Sequence, residues 1–257
     1  MSRPIVTFLS DFGSSDPFVG VCQGVIVRTC PEAEVIHLAH GIEPQSVGQG
    51  SRVLAASVPY LPVGVHMAVV DPGVGSERRA ICLRSADGRL FVGPDNGLLS
   101  LAAPAPRRAW RIENTAYRRE PVSPTFHGRD VFAAAAGRLA SGWAADGAGG
   151  ALGEIVSLPV HARPLDAGGE GEVVHIDGFG NLFTSFSGAV APGPWVVELG
   201  EDSFSLTGGR TFTDVAPGEL VLYPGSGGQV EIAMRDGSAE ALTGAGLGAS
   251  LRLRRRS

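Results

Sequence analysis

The apolar pattern of this chain changes once along its length, and that change limits the folds open to it. Up to about residue 155, short β-branched runs alternate with stretches whose apolar residues recur at helical spacing, whereas beyond about residue 171 only short strand-like runs and turns remain. The first pattern is that of a layered α/β domain with a central sheet. The second, with turns at short intervals, is that of a small barrel or sandwich. The expected fold is therefore an N-terminal α/β domain over 1–155, a linker over 156–170, and a smaller all-β C-terminal barrel or sandwich domain over 171–257.

Within the first part, Ile5-Val6-Thr7-Phe8-Leu9 reads as a buried strand that runs into Ser10-Asp11. Asp16 is placed to cap the helix that follows, with Pro17 in its first turn and Phe18, Val21, Cys22, Val25 and Ile26 at helical spacing. Val35–Leu38 is a second strand, Ser46 to about Ala56 a second helix, and His66–Val70 a third strand ending at Asp71. Ala80 to Val92 reads as a hairpin about Asp87-Gly88, and Val131 to Leu139 as a helix. Two central strands thus end in aspartates. In open α/β sheets ligands bind beyond the carboxyl ends of strands, so Asp11 and Asp71 are expected to share one crevice, although an aspartate at a strand end also commonly does no more than cap a turn. In the second part, strands are expected at 172–176, 182–186, 195–199, 210–215, 220–223, 230–234 and 250–253.

Several function classes are set aside on composition. The formal charge is −5 with dispersed acids and bases, so only the end, Arg252-Leu253-Arg254-Arg255-Arg256, offers a basic run, and no nucleic-acid partner is expected. No apolar stretch approaches the ~20 residues that a membrane span needs, and no secretory leader precedes Asp11, which places the protein in the cytoplasm. Cys22, Cys30 and Cys82 lack the paired spacing of a zinc or redox site and read as reduced core thiols.

Chemistry is expected where polar residues interrupt the apolar pattern among glycines. Four clusters do so: Ser10–Gly13, Asp71–Arg79, Phe126–Asp130 and Asp177–Asn181. A metal site is not expected, because the six histidines His37, His40, His66, His127, His161 and His175 show no short ligand pairing, and only His127 lies in such a loop. Gly73-Val74-Gly75 does not extend into a nucleotide fingerprint or a phosphate loop, and there is no nucleophile elbow. A carboxylate, a guanidinium and an imidazole without a nucleophilic side chain suit activation of water.

The motifs SDFG at Ser10 to Gly13, DPGVGSERRA at Asp71 to Ala80, GPDNG at Gly93 to Gly97, TFHGRD at Thr125 to Asp130, GFGN at Gly178 to Asn181, YPGS at Tyr223 to Ser226 and EIAM at Glu231 to Met234 stand in one order along nearly the whole chain. In this the chain resembles the S-adenosylmethionine hydroxide adenosyltransferases, relatives of the fluorinases and chlorinases. The resemblance implies hydrolysis of S-adenosylmethionine to adenosine and methionine, with no cofactor. It also implies a homotrimer with active sites at subunit interfaces. A water-handling triad falls on Asp71, Arg78 and His127. Halide-using relatives carry a tyrosine where Asp71 stands and lack the histidine, so the resemblance favours water.

The same resemblance puts Asp11 on the ribose hydroxyls, Phe126 and Gly128 beside the ribose, Asn181 at the adenine edge and Phe179 on its face. It assigns Asp177 to the methionine ammonium, and Ser226, Glu231 and Met234 to the adenine or methionine ends. Where halogenating relatives have an arginine after the serine matching Ser226, this chain has Gly227. The competing expectations are a chlorinase-like halide transfer and a non-catalytic sensor of S-adenosylmethionine or adenosine.

Overall fold

The computed structural model describes residues 3–159, 163–166 and 168–256, so that His161 lies outside the described residues. The chain forms two compact units, Met1–Pro159 and Val160–Ser257. Of the interval expected as linker, Arg163–Pro164 forms a short strand and Gly168 already opens a long one.

The first unit is built on a mixed sheet whose strands are β1 (Ile5–Ser10), β2 (Glu34–Ala39), β3 (Val65–Val69), β4 (Ala80–Ser85), β5 (Leu90–Pro94), β6 (Arg107–Arg111) and β7 (Ala151–Leu152). Their spatial order is β2-β1-β3-β5-β4-β6-β7. β1 lies parallel to both β2 and β3, and β3 is parallel to β5, while β4 runs antiparallel to β5 and β6. The helices are α1 (Phe18–Thr29), α2 (Val47–Ser57) and α3 (Ala134–Ala140).

Successive strand residues point to opposite faces, and the apolar residues divide accordingly. Val6, Phe8, Val65, Met67, Val69 and Val92 pack with Cys22 and Ile26 of α1 and with Ala135, Ala136 and Leu139 of α3. Leu9, Ala68, Val70, Ile81, Leu83 and Phe91 pack with Leu54 of α2. Burial of each such large side chain stabilises the fold by roughly 1.5–3 kcal/mol.

The register of the parallel strands fixes the place of the site. Ser10 at the end of β1 stands opposite Val69 at the end of β3, so Asp11 and Asp71 leave the same edge of the sheet from neighbouring strands. α1 begins one residue later than the capping pattern suggests: Pro17 holds the N-cap position, and no side chain caps the helix. Asp16 is therefore outside it. The expected helix over 131–139 begins as a π-helical turn over Gly128–Ala133 and continues as α3. Such turns recur at functional sites. All three cysteines are buried and free, and burial pushes the Cys22 and Cys82 thiols up to about 12.

The second unit contains β8 (Arg163–Pro164), β9 (Gly168–Ile176), β10 (Leu182–Ser187), β11 (Gly193–Leu199), β12 (Asp202–Gly208), β13 (Leu220–Pro224), β14 (Gln229–Met234), β15 (Ser250–Arg255) and a short helix α4 (Ala239–Thr243). The order β14-β13-β12-β11-β15-β9-β10 closes through β10–β14 pairing into a seven-stranded barrel around Trp195, Leu182, Phe186, Leu222, Ile232 and Leu253. The strand expected at 210–215 is instead a turn. Arg210 N and Thr211 N both donate to Asp214 Oδ2, at 2.6 and 3.2 Å, in a capping arrangement that competes with a ladder. The true strand is β12, where Phe204 and Leu206 alternate with polar residues. Among the described residues no helix is long and apolar enough to cross a membrane.

Candidate active site

Asp71 follows β3 and begins a tight loop in which Val74 N donates to Asp71 O at 3.2 Å and Ser76 N to Gly73 O at 3.1 Å. Gly75 has φ +78°, and a Cβ there would stand 2.6 Å from Pro124 O. Only glycine allows this loop to lie against the 123–130 loop. The loop brings Arg78 back onto Asp71. Arg78 Nε donates to Asp71 Oδ1 at 2.8 Å, and Nη2 donates to Oδ2. The same Nη2 lies 2.9 Å from His127 Nδ1.

A guanidinium can only donate, so His127 Nδ1 accepts and the ring proton sits on Nε2. The Arg78 and Asp71 side chains keep 10% and 5% of their exposure, and the guanidinium lies 5.0 Å over the Phe132 ring. Burial holds the His127 imidazole below its ordinary range, with the Arg78 charge acting in the same sense and Asp71 opposing it. Arg78 Nη1 is buried and has no hydrogen-bond partner among the described residues. A cavity of about 270 Å³ reaches Arg78 and His127 between Val122, Val131 and Arg118.

Arg79, equally charged and adjacent, faces elsewhere: it pairs with the buried Asp95, and its Nη2 donates to Glu154 O at 3.3 Å. The 123–130 loop is anchored by Asp130, which is 1% exposed and accepts from Ser123 N, Arg119 and Arg129. Burial raises the Asp130 carboxyl, but the bonds from Arg129 and Ser123 outweigh it and hold the group below its ordinary range.

The Asp11 loop adjoins the His127 loop through aromatic rings. The Phe12 ring lies where a Cβ on Gly128 would stand, 2.9 Å from the nearest ring atom, and Phe12, Phe18 and Phe126 meet edge to face with centroids 5.4–6.1 Å apart. The structure thus gathers Asp11, Asp71, Arg78, Phe126, His127 and Gly128 at one sheet edge. Phe12 and Phe18 were not anticipated there. Phe18, 43% exposed on α1, was legible only as one of the apolar residues at helical spacing.

In the second unit, the β9–β10 loop is organised by Asp177. Its Oδ1 accepts from Phe179 N at 2.9 Å and Asn181 N at 3.0 Å, and its Oδ2 accepts from Asn181 Nδ2 at 2.8 Å. Phe179 is left 81% exposed while Asn181 is buried. Glu231 is buried too, takes a 2.5 Å hydrogen bond from the Tyr223 hydroxyl, and lies so close under Gly225 that a Cβ there would stand 1.7 Å from its Oε1. Burial pushes the Glu231 carboxyl up, and the Asp177 charge adds to this against the Tyr223 bond. Ser226 is exposed in the β13–β14 turn and the half-buried Met234 ends β14, so these two stand at opposite ends of one strand. Among the described residues no group of three or more His, Cys, Asp or Glu could hold a metal ion.

Residues 6–149 match the SAM hydroxide adenosyltransferase N-terminal domain, and residues 171–252 match the SAM hydroxide adenosyltransferase C-terminal domain. The chain belongs to the SAM hydroxide adenosyltransferase family. It is 44% identical over 256 residues, 97% of either chain, to a protein of Salinispora tropica named (R)-S-adenosyl-L-methionine hydrolase. A fluorinase of Actinopolyspora mzabensis is more distant, at 27% identity over 271 residues, 90% of this chain and 91% of that one. The crystal structure of an uncharacterized conserved protein from Thermotoga maritima superposes with a TM-score of 0.89 at 32% identity, covering 97% of this chain and all of the other.

Proposed function

We propose that the protein hydrolyses S-adenosylmethionine by attack of water at ribose C5′, giving adenosine, methionine and one proton. The observation that carries the reading is the single guanidinium of Arg78 joining the Asp71 carboxylate to the His127 imidazole. The name carried by the 44%-identical relative supports it. The sulfonium leaves as a neutral thioether when the C5′–S bond breaks, so no general acid or metal is needed and the weak point is the nucleophile.

With Nδ1 of His127 occupied by Arg78, the ring Nε2–H and Arg78 Nη1 are two donors for the water oxygen. Asp71 is the acceptor for its proton, because each carboxylate oxygen retains a lone pair beyond its bond to Arg78. The resulting hydroxide keeps a third lone pair for C5′. Such a positioned base contributes ~10²–10⁴-fold, with alignment and desolvation adding more.

On the binding side, Asp11 takes the ribose diol beside Phe126 and Gly128. Phe179 stacks on adenine. Asn181 Nδ2 donates to Asp177, and its Oδ1 is the acceptor for the adenine amino group. Asp177, Ser226, Glu231 and Met234 complete the methionine and adenine ends. The enzyme works without a cofactor, as a homotrimer in the cytoplasm.

The test is to incubate the purified protein with S-adenosylmethionine in halide-free buffer and follow products by chromatography. Equimolar adenosine and methionine, abolished in His127→Ala, is the expected result. Formation of 5′-chloro-5′-deoxyadenosine on adding chloride would replace hydrolysis by halide transfer, and bound but uncleaved substrate would make the protein a sensor.

A further inference from the structure

We infer that Ser10, His40, His37 and Gln23 form a positioning relay that holds Asp11 for the ribose diol and so sets the affinity for the nucleoside half of the substrate. The inference rests on the reading of Asp11 proposed above and adds four residues outside the triad.

The relay follows from the contacts. Phe12 N donates to Ser10 Oγ at 3.3 Å, and the same oxygen lies 2.7 Å from His40 Nδ1. His40 Nε2 in turn lies 2.8 Å from His37 Nδ1. His37 in turn carries its proton on Nε2, 3.3 Å from Gln23 Oε1 on α1. These groups thus form one continuous hydrogen-bonded run from the Asp11 loop to α1. Burial and the His37 charge lower His40 to about 4, consistent with a ring that stays unprotonated near neutrality.

His40 grips the Asp11 loop from both sides. Its side chain holds Ser10, and its carbonyl accepts from Gly13 N at 2.8 Å, where φ is +69°. The imidazole is itself wedged edge-on against Phe8 in the core, with centroids 4.7 Å apart. Asp11 is thus bracketed by two anchored residues. Its Oδ2 also accepts from Gln45 N at 2.9 Å, and Gln45 adopts the left-handed φ of +67° that a side-chain-bearing residue rarely takes. Asp11 Oδ1 is the carboxylate oxygen offered to a diol. A simple core histidine would need no such run, nor a link from a core-facing ring to a strand-end carboxylate loop.

The test compares the dissociation constants of adenosine and 2′,3′-dideoxyadenosine, by calorimetry, for the wild type and for His40→Phe, which keeps the ring against Phe8 but removes both nitrogens. The wild type is expected to prefer adenosine by about tenfold or more, as charge-assisted bonds to a diol allow. His40→Phe is expected to lose most of that preference, and in hydrolysis its KM should rise with kcat within about threefold. Ser10→Ala, which deletes one oxygen, should do the same and serves if His40→Phe does not fold. A wild type that discriminates while both folded variants discriminate equally well overturns the relay. A wild type that hydrolyses the substrate but does not discriminate overturns the ribose role of Asp11 and the relay with it.

Discussion

The Asp71–Arg79 loop of the first unit and the Asp177–Asn181 loop of the second solve opposite problems. In the first, Arg78 bonds both Asp71, at the end of the central strand β3, and His127 of the 123–130 loop, and the Arg78 and Asp71 side chains are nearly buried. In the second unit, Asp177 spends its carboxylate on its own loop, and the outcome is the reverse of burial: Phe179 stands 81% exposed. A group that moves protons must be held against its neighbours before the substrate arrives. A ring that recognises a flat base needs only to be presented, and its burial is completed by the ligand. The first loop should therefore respond to substitution in turnover and the second in binding.

The sharpest test of that contrast is Asp71→Ala, for which we expect kcat to fall ~10²–10⁴-fold with little change in substrate affinity. An equal loss of affinity and turnover would place Asp71 in binding and erase the distinction. Next in size is an effect of pH on the frame that carries the first loop. His66 is buried on β3 against Thr7, and burial, aided by Arg89, lowers it from 6.5 to about 4. The unfolded chain takes up this proton near the ordinary value and the native state does not. The stability present above that value is lost as pH falls through it, by about 2 kcal/mol between pH 7 and 5. Urea unfolding at the two pH values should show this slope, reduced in His66→Gln.

Phe179→Ala should raise KM by about tenfold, since stacking on a base contributes ~1–3 kcal/mol, and leave kcat nearly unchanged. A fall in kcat instead would show that the exposed ring also aligns C5′. Smallest of all, Glu198→Gln removes the exposed Arg254 pair on the barrel wall and should shift stability by less than about 0.5 kcal/mol in thermal melts.

Much of this was legible in the chain. The change from alternating to strand-only pattern marked an α/β unit and a barrel or sandwich, of which β10–β14 pairing makes a barrel, and two strands ending in Asp11 and Asp71 marked a shared edge. The departures have local causes. Thr211 and Asp214 turned an apparent strand into a capped turn by drawing backbone N–H groups to a side chain, and the short strands β6 and β7 were too brief to show a period. Arg78 and Arg79 could not be told apart by sequence, because adjacent charges have the same composition whichever way they point.

What the sequence determined by itself is where apolar period, glycine and charge coincide, since these are properties of neighbours along the chain. Tertiary structure alone decided that Arg78 faces Asp71 while Arg79 faces Asp95, that Phe12 fills the space beside Gly128, and that His40 reaches back to Ser10. Each of those outcomes depends on strands brought side by side in one register, and hydrogen bonds of 2.7–2.9 Å across 30–49 residues of chain exist only once that register is set.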